Sequence, residues 1–263
     1  MTSAPTSSLE RLAAALVERH LASLTRPELL RAARALSARY VEGRGSLPSR
    51  SPLDSAGKRA AFAVLFAPIH FATVEAIVTG LAAPVGALSR IVDLGCGTGA
   101  ASAAWALSVS PPARPTLLGV DTHRWALAEA AWTWRTLGLP GRVRRADMVA
   151  EASRLGARRG ASLAGMGIVA AWSVNELTPA GRSALLGHLR EAARRQATVL
   201  VIEPLSRRAA PWFPEWTRAV EDLGGRADEW HLANRLPASL QALDRDAGFD
   251  RTELGARSLM FGG

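Results

Sequence analysis

Apolar residues recur at helical spacing near the start of the chain. They occur in two runs, Leu9, Leu12, Leu16 and Val17, and then Leu29, Leu30, Ala33 and Leu36. Spacings of three and four residues place apolar side chains on one face of a helix. Between the runs, Thr25 precedes Pro27 and Glu28, residue types that are typical of a helix start. We therefore predict two helices within residues 9–40, followed by a polar linker over residues 41–57.

The longest apolar stretch of the chain covers residues 60–88. Pro68, His70 and Glu75 interrupt it, which favours a buried helix over a membrane span. We predict a helix from residue 58 to about residue 81, kinked or broken near Pro68 because proline lacks the N–H of a regular helix.

From residue 90 onward, short strand-like runs alternate with longer helical segments. The predicted strands cover residues 90–94, 116–121, 141–146, 167–172 and 198–203, with two more from 225–232 and 249–259. The predicted helices cover residues 100–109, 124–137, 179–195 and 237–247. Strands separated by helices form parallel sheets. We predict an α/β fold with a doubly wound, Rossmann-like, mostly parallel sheet in a domain of residues 58–263, and an N-terminal helical extension over residues 1–57.

The composition is that of a globular protein, since 48% of the residues are hydrophobic and 21% are charged. The formal net charge of +9 is typical of a protein with a polyanionic partner such as RNA. Lys58 is the only lysine, however, and an arginine-rich chain is also what a GC-rich coding bias produces. Both interpretations of the charge stay open at this stage.

A single cysteine, Cys96, excludes an intrachain disulfide and a cysteine-based metal cluster. No metal site is predicted from the sequence. The first residues lack the basic and apolar regions of a secretory leader. These features together favour the cytoplasm, and no membrane partner is expected.

An acid and three alternating glycines follow the first predicted strand, in the segment Asp93-Leu94-Gly95-Cys96-Gly97-Thr98-Gly99. Glycines allow a sharp turn and a close approach of the backbone to a ligand. The next helix presents its positive end, which favours a carboxylate or a phosphate. The Asp93 carboxylate repels a pyrophosphate but attracts the ammonium of an amino acid, and the glycine spacing differs from that of dinucleotide-binding folds. The segment therefore indicates a ligand with an amino-acid part, to which Cys96 contributes its backbone.

At these residues the sequence resembles the class I S-adenosylmethionine-dependent methyltransferases. Residues 93–99 match the first motif of that family, and Asp121 ends the second strand where the family has an acid for the ribose hydroxyls. Asp147 follows the third strand, near the place of the adenine amine. The resemblance implies a seven-stranded sheet and S-adenosylmethionine as cofactor. The implied cofactor-binding residues are Asp93, Gly95, Cys96, Gly97, Thr98, Gly99, Asp121, Thr122, Asp147, Met148, Trp172 and Ser173.

The two later acids also fit a purely structural role. Asp121 would cap a helix that begins near His123, and Asp147 would cap a helix that begins at Met148.

A narrower resemblance is to the methyltransferases associated with the small subunit of mitochondrial ribosomes and to their bacterial relatives. The segments that carry it are residues 36–40, 67–73, 172–177 and 201–204. The mitochondrial members have cysteines for a metal cluster, which this chain lacks. This resemblance implies a ribosomal RNA acceptor. Pro-Pro-Tyr does not follow Asn175, which departs from the signature of amino-group methylation on bases or glutamine.

The candidate catalytic residues are Asn175, Glu176 and His70. Asn175 and Glu176 follow the fourth predicted strand, where they would orient a nucleophile or accept its proton, and helix capping before Pro179 is the alternative. His70 lies on an apolar stretch, where a buried structural histidine fits as well as a general base. Methyl transfer depends largely on orientation, so a strong base is not required.

The aromatic segment over residues 211–216 allows two interpretations. It would form a lid or stack on an aromatic substrate, or it would begin a helix that seals the core.

Three functions fit the sequence: a methyltransferase acting on RNA such as ribosomal RNA, a methyltransferase acting on a small molecule, and a non-catalytic ribosome-assembly factor that binds the cofactor. The expected partners are S-adenosylmethionine and an acceptor RNA or small molecule. The sequence does not indicate the oligomeric state.

Overall fold

The computed structural model describes residues 6–22, 24–42, 53–81, 88–109, 114–157 and 161–263. Residues 43–52 of the predicted linker lie outside the described residues. The chain divides into two compact units. The helical unit comprises Met1–Ala72 and Ala233–Leu254, and the sheet unit comprises Thr73–Leu232 and Gly255–Gly263.

Short helices build the helical unit around a small apolar core. The helices are α1 (Ser8–Leu21), α2 (Arg26–Glu42), α3 (Ala56–Ala61) and α10 (Ala238–Asp246), together with the first turns of α4 (Ala67–Gly80). The predicted helical faces are confirmed, because Leu12, Leu29 and Leu36 are fully buried. The predicted start of α2 is also found, where the Glu28 carboxylate accepts hydrogen bonds from the backbone N–H and the hydroxyl of Thr25.

A π-helical segment, Phe62–Phe66, connects α3 to α4. The N–H of Ala67 donates to the carbonyl of Phe62, five residues earlier. Pro68 follows directly and has no N–H to offer to the preceding turn, so the predicted interruption takes the form of a widened turn in a continuous helix. By length and composition alone the whole helix Ala56–Gly80 could cross a membrane, but 67% of its apolar window is buried within the protein, as in a core helix.

A seven-stranded sheet forms the centre of the sheet unit. Its strands are β1 (Arg90–Leu94), β2 (Thr116–Asp121), β3 (Gly141–Arg145), β4 (Met166–Ala171), β5 (Thr198–Glu203), β6 (Arg226–Ala233) and β7 (Glu253–Phe261). The strand order is β3-β2-β1-β4-β5-β7-β6. The first five strands pair in parallel, and β7 runs antiparallel to β5. The predicted doubly wound, mostly parallel sheet is therefore confirmed.

Helices cover both faces of this sheet. They are α5 (Ala100–Ser108), α6 (Arg124–Thr136), α7 (Met148–Ala157), α8 (Pro179–Arg194) and α9 (Phe213–Glu221). Residues of α7, α8 and α9 pack against Val92, Leu118 and other apolar strand residues on one face. On the other face, the indole of Trp134 lies against Gly119 and Gly141, where a side chain would not fit. The sheet core is therefore closed by packing on both sides.

Three features differ from the sequence-based prediction. The prediction placed a domain boundary after residue 57, whereas the division of the structure follows Ala72 and groups residues 233–254 with the N-terminal helices. The π-helical segment contacts α1, α2 and α10, which explains this grouping. Helices α7 and α9 were predicted only as alternative interpretations of Asp147 and of residues 211–216, and β7 begins four residues later than predicted, at Glu253 rather than at residue 249.

Candidate functional site

The loop between β1 and α5 has a backbone that only glycine adopts readily. Gly95, Gly97 and Gly99 have φ angles of +73°, +51° and +73°. A Cβ on Gly95 would lie 2.5 Å from the Cβ of Ser173. The N–H groups of Gly95 and Cys96 donate to the carbonyl of Val120, at 2.8 and 3.0 Å, which ties the loop to the end of β2. The loop is thus a rigid turn at the carboxyl edge of the sheet, after β1, where the strand order reverses because β2 and β3 lie on one side of β1 and β4 and β5 on the other.

Asp93, at the base of this loop, is buried. Its Oδ2 accepts hydrogen bonds from the hydroxyl and the backbone N–H of Ser102, at 2.6 and 3.3 Å. Burial raises the pKa of Asp93 to about 6, the two bonds from Ser102 oppose this rise, and the charge of Asp121 adds to it. Asp93 therefore holds the first turn of α5, and its contact with a ligand ammonium stays a prediction.

Asp121 connects the glycine loop to the end of β2. Its Oδ2 accepts a hydrogen bond from the N–H of Gly97 at 3.0 Å, and its Oδ1 accepts one from the N–H of His123 at 2.7 Å. The N-cap of α6 is His123, whose Nδ1 accepts from the N–H of Ala126. The capping alternative for Asp121 is therefore wrong. Its carboxylate instead borders the loop, next to exposed Thr122.

Asp147 and Met148 stand at the start of α7. The Oδ1 of Asp147 accepts hydrogen bonds from the N–H groups of Val149 and Ala150, both at 2.9 Å, so the capping alternative is confirmed for this residue. A carboxylate has a second oxygen, so capping is compatible with a ligand contact. The sulfur of Met148 lies 3.8 Å from the position of a Cβ on Gly95, which places this residue beside the glycine loop.

The segment after β4 is fixed to its neighbours on both sides. Trp172 has a φ of +54°, a conformation that costs energy for a residue other than glycine and that is frequent at functional sites. Its N–H donates to the carbonyl of Ile202 at 2.8 Å. The hydroxyl of Ser173 donates to the carbonyl of Leu94 at 2.9 Å. Trp172 and Ser173 are thus held beside the glycine loop.

A buried hydrogen-bond network holds Asn175. The carboxylate of Glu203 accepts bonds from the N–H of Val174, at 3.1 Å, and from the side-chain amide of Asn175. The indole N–H of Trp212 donates to the Oδ1 of Asn175 at 2.8 Å. Both ends of the amide therefore have protein partners, and Asn175 shapes the turn Val174–Glu176.

The aromatic segment over residues 211–216 is part of the core. Phe213 and Trp216 are buried, and the ring of Trp212 packs edge-on against that of Trp216 at 4.7 Å. The interpretation as a helix start that seals the core is therefore confirmed, and the lid interpretation is wrong.

Glu176 ends the turn that Asn175 shapes, and its side chain is accessible to solvent. Partial burial among surrounding protein is the largest cause that raises the pKa of its carboxyl to about 7, followed by the negative charge of Asp121. A carboxyl that titrates near neutral pH is suited to take up and release a proton.

His70 belongs to the helical unit, on α4. Its ring lies edge-on to that of Phe62, with 5.9 Å between the centroids. Burial, and then the positive charge of Arg251, lower the pKa of His70 to about 3. Such an imidazole is neutral at physiological pH and is a weak base, which favours the alternative of a buried structural histidine. Its catalytic role stays a prediction.

The thiol of Cys96 is buried, and burial with two nearby carboxylates raises its pKa well above the ordinary value. It contributes backbone to the loop. Among the described residues, no group of three or more His, Cys, Asp or Glu side chains is arranged to hold a metal ion.

Comparison with solved structures identifies the fold. A methyltransferase from Agrobacterium tumefaciens, described as S-adenosylmethionine-dependent, superposes with a TM-score of 0.50 at 15% identity, over 74% of this chain and 63% of that one. The chain has the fold of the class I S-adenosylmethionine-dependent methyltransferases. An S-adenosylmethionine-dependent methyltransferase from Leishmania major covers 94% of this chain and 90% of its own, at 14% identity and a TM-score of 0.48.

The sequence identity between this chain and solved structures that it resembles is low. A putative RNA methyltransferase from Pyrococcus horikoshii is 12% identical over 74% of this chain and 84% of its own, with a TM-score of 0.42. No protein-family model and no curated protein sequence matches the chain. At these identities the likeness establishes the fold alone.

Some residues that shape the methyltransferase-fold site were not identified from the sequence. Ser102 pairs with Asp93, and the indole N–H of Trp134 donates to the carbonyl of Gly99 at 3.0 Å. For the contact between Ser102 and Asp93, the sequence offers one signal, which is a serine at the third position of the helix that follows the glycines. No local signal indicates the second contact, because Trp134 is 35 residues away along the chain.

Proposed function

We propose that this protein binds S-adenosylmethionine and transfers its methyl group to an acceptor. The observation that carries the proposal is the bond between Asp121 and the N–H of Gly97. It joins the acid at the end of β2 to the glycine loop after β1, at the edge of the sheet where parallel α/β folds bind ligands.

The residues of this edge fit the cofactor. At Gly95 and Gly99 a Cβ would collide with Ser173 and with the indole of Trp134, so the loop after β1 keeps its shape only with glycine at these positions. This loop would receive the methionine part, Asp121 would accept hydrogen bonds from ribose hydroxyls, and Asp147 with Met148 would border the adenine. When bound, the cofactor supplies a methyl group on a cationic sulfur. The fixed segment of Trp172 and Ser173 would exclude water and orient the acceptor.

Isothermal titration calorimetry with S-adenosylmethionine and S-adenosylhomocysteine tests this proposal. We expect dissociation constants within the range of about 1 μM to about 1 mM that is common for enzyme substrates. Failure to detect binding of either ligand at about 1 mM would overturn the proposal.

We further propose that the acceptor is RNA of the small ribosomal subunit. The net charge of +9 and the narrower resemblance in sequence support this choice. RNA binding should weaken at least about tenfold between about 50 and about 200 mM salt, because phosphate contacts release counterions. Fluorescence anisotropy with small-subunit ribosomal RNA measures this dependence, and titration of S-adenosylmethionine at the same salt concentrations controls for the integrity of the protein.

Mass spectrometry of RNA and metabolites from cells with and without the gene separates the acceptor classes. A methyl group lost from ribosomal RNA supports the RNA acceptor. A methylated metabolite that disappears instead contradicts it and supports a small-molecule acceptor. If neither changes while S-adenosylmethionine still binds, the protein is a non-catalytic cofactor-binding factor.

A further inference from the structure

The outer face of α6 carries arginine and tryptophan side chains. Arg124 and Arg135 are exposed and lie eleven residues apart, and Trp125 and Trp132 are half-buried and lie seven residues apart. These spacings are close to three and two helical turns, so the arginines share one line along the helix and the tryptophans share a second line beside it. The only acid of α6, Glu129, is buried. The outer face therefore combines positive charge with aromatic surface.

Arg145, the exposed last residue of β3, extends this positive face. Its Nε donates to the carbonyl of Thr122 at 3.1 Å, just before α6 begins. Alternate residues of a strand point to the same face of a sheet, and Trp134 of α6 lies against Gly141 at the other end of β3. Arg145 therefore projects on the α6 side of the sheet, next to the first turn of the helix. We call the following residues the α6 surface: Arg124, Trp125, Trp132, Arg135 and Arg145.

In the described part of the chain, no acid forms an ion pair with the three arginines of the α6 surface. By contrast, Arg144 of β3 points to the other face of the sheet, where both carboxylate oxygens of Glu151 accept from its guanidinium, at 2.7 and 2.8 Å. Glu151 is buried on α7. Arg144 therefore stabilises the fold, whereas the charges of the α6 surface are available to a negatively charged partner.

The α6 surface begins beside the proposed cofactor site. Asp121, whose carboxylate bonds to the glycine loop, also accepts from the N–H of His123, the N-cap of α6. The His123 ring lies edge-on to that of Trp125, with 6.2 Å between the centroids. A long ligand bound along α6 therefore reaches the edge of the sheet at which we propose methyl transfer.

Resting on the proposed function, we propose that the α6 surface binds a single-stranded segment of the acceptor RNA. The phosphates of the segment contact the three arginines, and its unpaired bases stack on the two tryptophans. A second copy of this chain is a poorer partner for the same face. A two-fold contact places one helix against the same helix of the other copy, so arginines would face arginines with no acid between them.

Fluorescence anisotropy with a labelled single-stranded RNA of about 12 nucleotides tests this inference at several salt concentrations. The double variant Arg124→Gln/Arg135→Gln should bind the RNA more weakly than the unmodified protein. Its slope of log affinity against log salt concentration should be less steep by about 1.4, since each lost phosphate contact on a single strand removes about 0.7. The control Arg194→Gln/Arg218→Gln removes two exposed arginines from α8 and α9, on the other face of the sheet, and should leave the slope nearly unchanged.

The stacking contribution is measured with Trp132→Ala in the same assay. This variant should bind the single strand at least about fivefold more weakly, with the salt slope unchanged, because a base loses its aromatic partner while the phosphate contacts remain. An RNA duplex of the same length should show little difference between the variant and the unmodified protein, since its bases are already stacked on one another. Thermal unfolding of each variant shows whether it is folded, and the arginine variant tests the inference by itself.

The outcomes separate this inference from the proposed function. Absence of RNA binding to the unmodified protein contradicts the proposed RNA acceptor, and the inference with it. RNA binding with the same salt slope in Arg124→Gln/Arg135→Gln and in the unmodified protein overturns the inference alone. Sedimentation velocity provides a further test. A dimer that dissociates in Trp132→Ala while the RNA affinity is retained also overturns the inference, because the α6 surface is then a contact between copies of the chain.

Discussion

At the scale of single residues, the loop after β1 depends on close approach as well as on backbone angles. Gly95 and Gly138 have nearly the same φ, +73° and +70°. A Cβ on Gly95 would meet Ser173 at 2.5 Å, whereas a Cβ on Gly138 would meet nothing within 4 Å. The two positions therefore separate the cost of a left-handed backbone from the cost of a collision.

We expect Gly95→Ala to lower the free energy of unfolding by about 2–4 kcal/mol, because backbone strain and overpacking act together. Gly138→Ala should lower it by about 1–2 kcal/mol through strain alone. Urea unfolding measures both values. Only Gly95→Ala should also weaken S-adenosylmethionine binding in calorimetry, and equal effects of the two variants would show that the contact with Ser173 is unimportant.

Asp121 is the residue on which the proposed cofactor site most depends, because it borders the loop and supports it through Gly97. Asp121→Ala should weaken S-adenosylmethionine binding about 10-fold to 100-fold, the range expected for lost hydrogen bonds to a charged group. Calorimetry measures the change. Asp222→Ala, which removes an exposed carboxyl after α9, should bind as the unmodified protein does, and an undiminished affinity of Asp121→Ala would contradict the assigned role.

At the scale of elements, α9 is a core helix although the sequence of its aromatic start is also compatible with a lid. Trp216 is fully buried in the core cluster formed by the sheet and by α7 and α8. In a segment that begins Pro-Trp-Phe-Pro, the spacing of the apolar residues shows no helical periodicity within the first turn. Packing against the sheet, rather than local sequence, therefore decides its conformation.

Trp216→Ala should lower the free energy of unfolding by about 3–5 kcal/mol, because it leaves a large cavity in the core. Trp132→Ala, at a half-buried position on α6, should lower the free energy of unfolding by clearly less than Trp216→Ala. Thermal and urea unfolding give both values. A lid residue would show the reverse pattern, with stability retained and ligand binding lost.

The strands were easier to predict than the helices that cover them. Six strands begin and end within one residue of the predicted bounds, because short apolar runs are followed by turn-forming residues. The start of β7 was placed too early, since Phe249 and Arg251 stack on each other in the preceding loop, with 4.4 Å from the guanidinium carbon to the ring centroid. Asp250 between them adopts a φ of +44°, which a strand does not allow.

At the scale of the whole molecule, ionisable groups with shifted pKa values link stability to pH. The pKa of His70 is lowered to about 3, below the value of about 6.5 expected in the unfolded chain. Between these values the unfolded state binds the proton and the folded state does not, so the free energy of unfolding decreases as the pH falls. Asp93 and Glu176 have raised pKa values and act in the opposite direction.

The contribution of His70 can be isolated with His70→Gln. Between pH 7.5 and pH 5, the unmodified protein should lose about 1–2 kcal/mol more stability than the variant. Urea unfolding at both pH values measures the difference. An identical pH dependence in the two proteins would show that His70 is not buried in its neutral form.

The sequence by itself determined the sheet, the glycine loop and the acids at the strand ends. These features are local, because a strand and the residues that end it are adjacent in the chain, and parallel pairing then brings the ends of neighbouring strands to one edge. The positions of Asp93, Asp121 and Asp147 at that edge followed from the sequence for this reason.

Only the tertiary structure decided which of these groups are buried, paired or accessible. Both Glu203 and Trp212 form hydrogen bonds with Asn175 in the turn after β4, although they lie 28 and 37 residues from it along the chain. The grouping of residues 233–254 with the N-terminal helices likewise depends on contacts between distant segments. Such contacts arise from side-chain packing between elements, which no periodicity or spacing within one segment encodes.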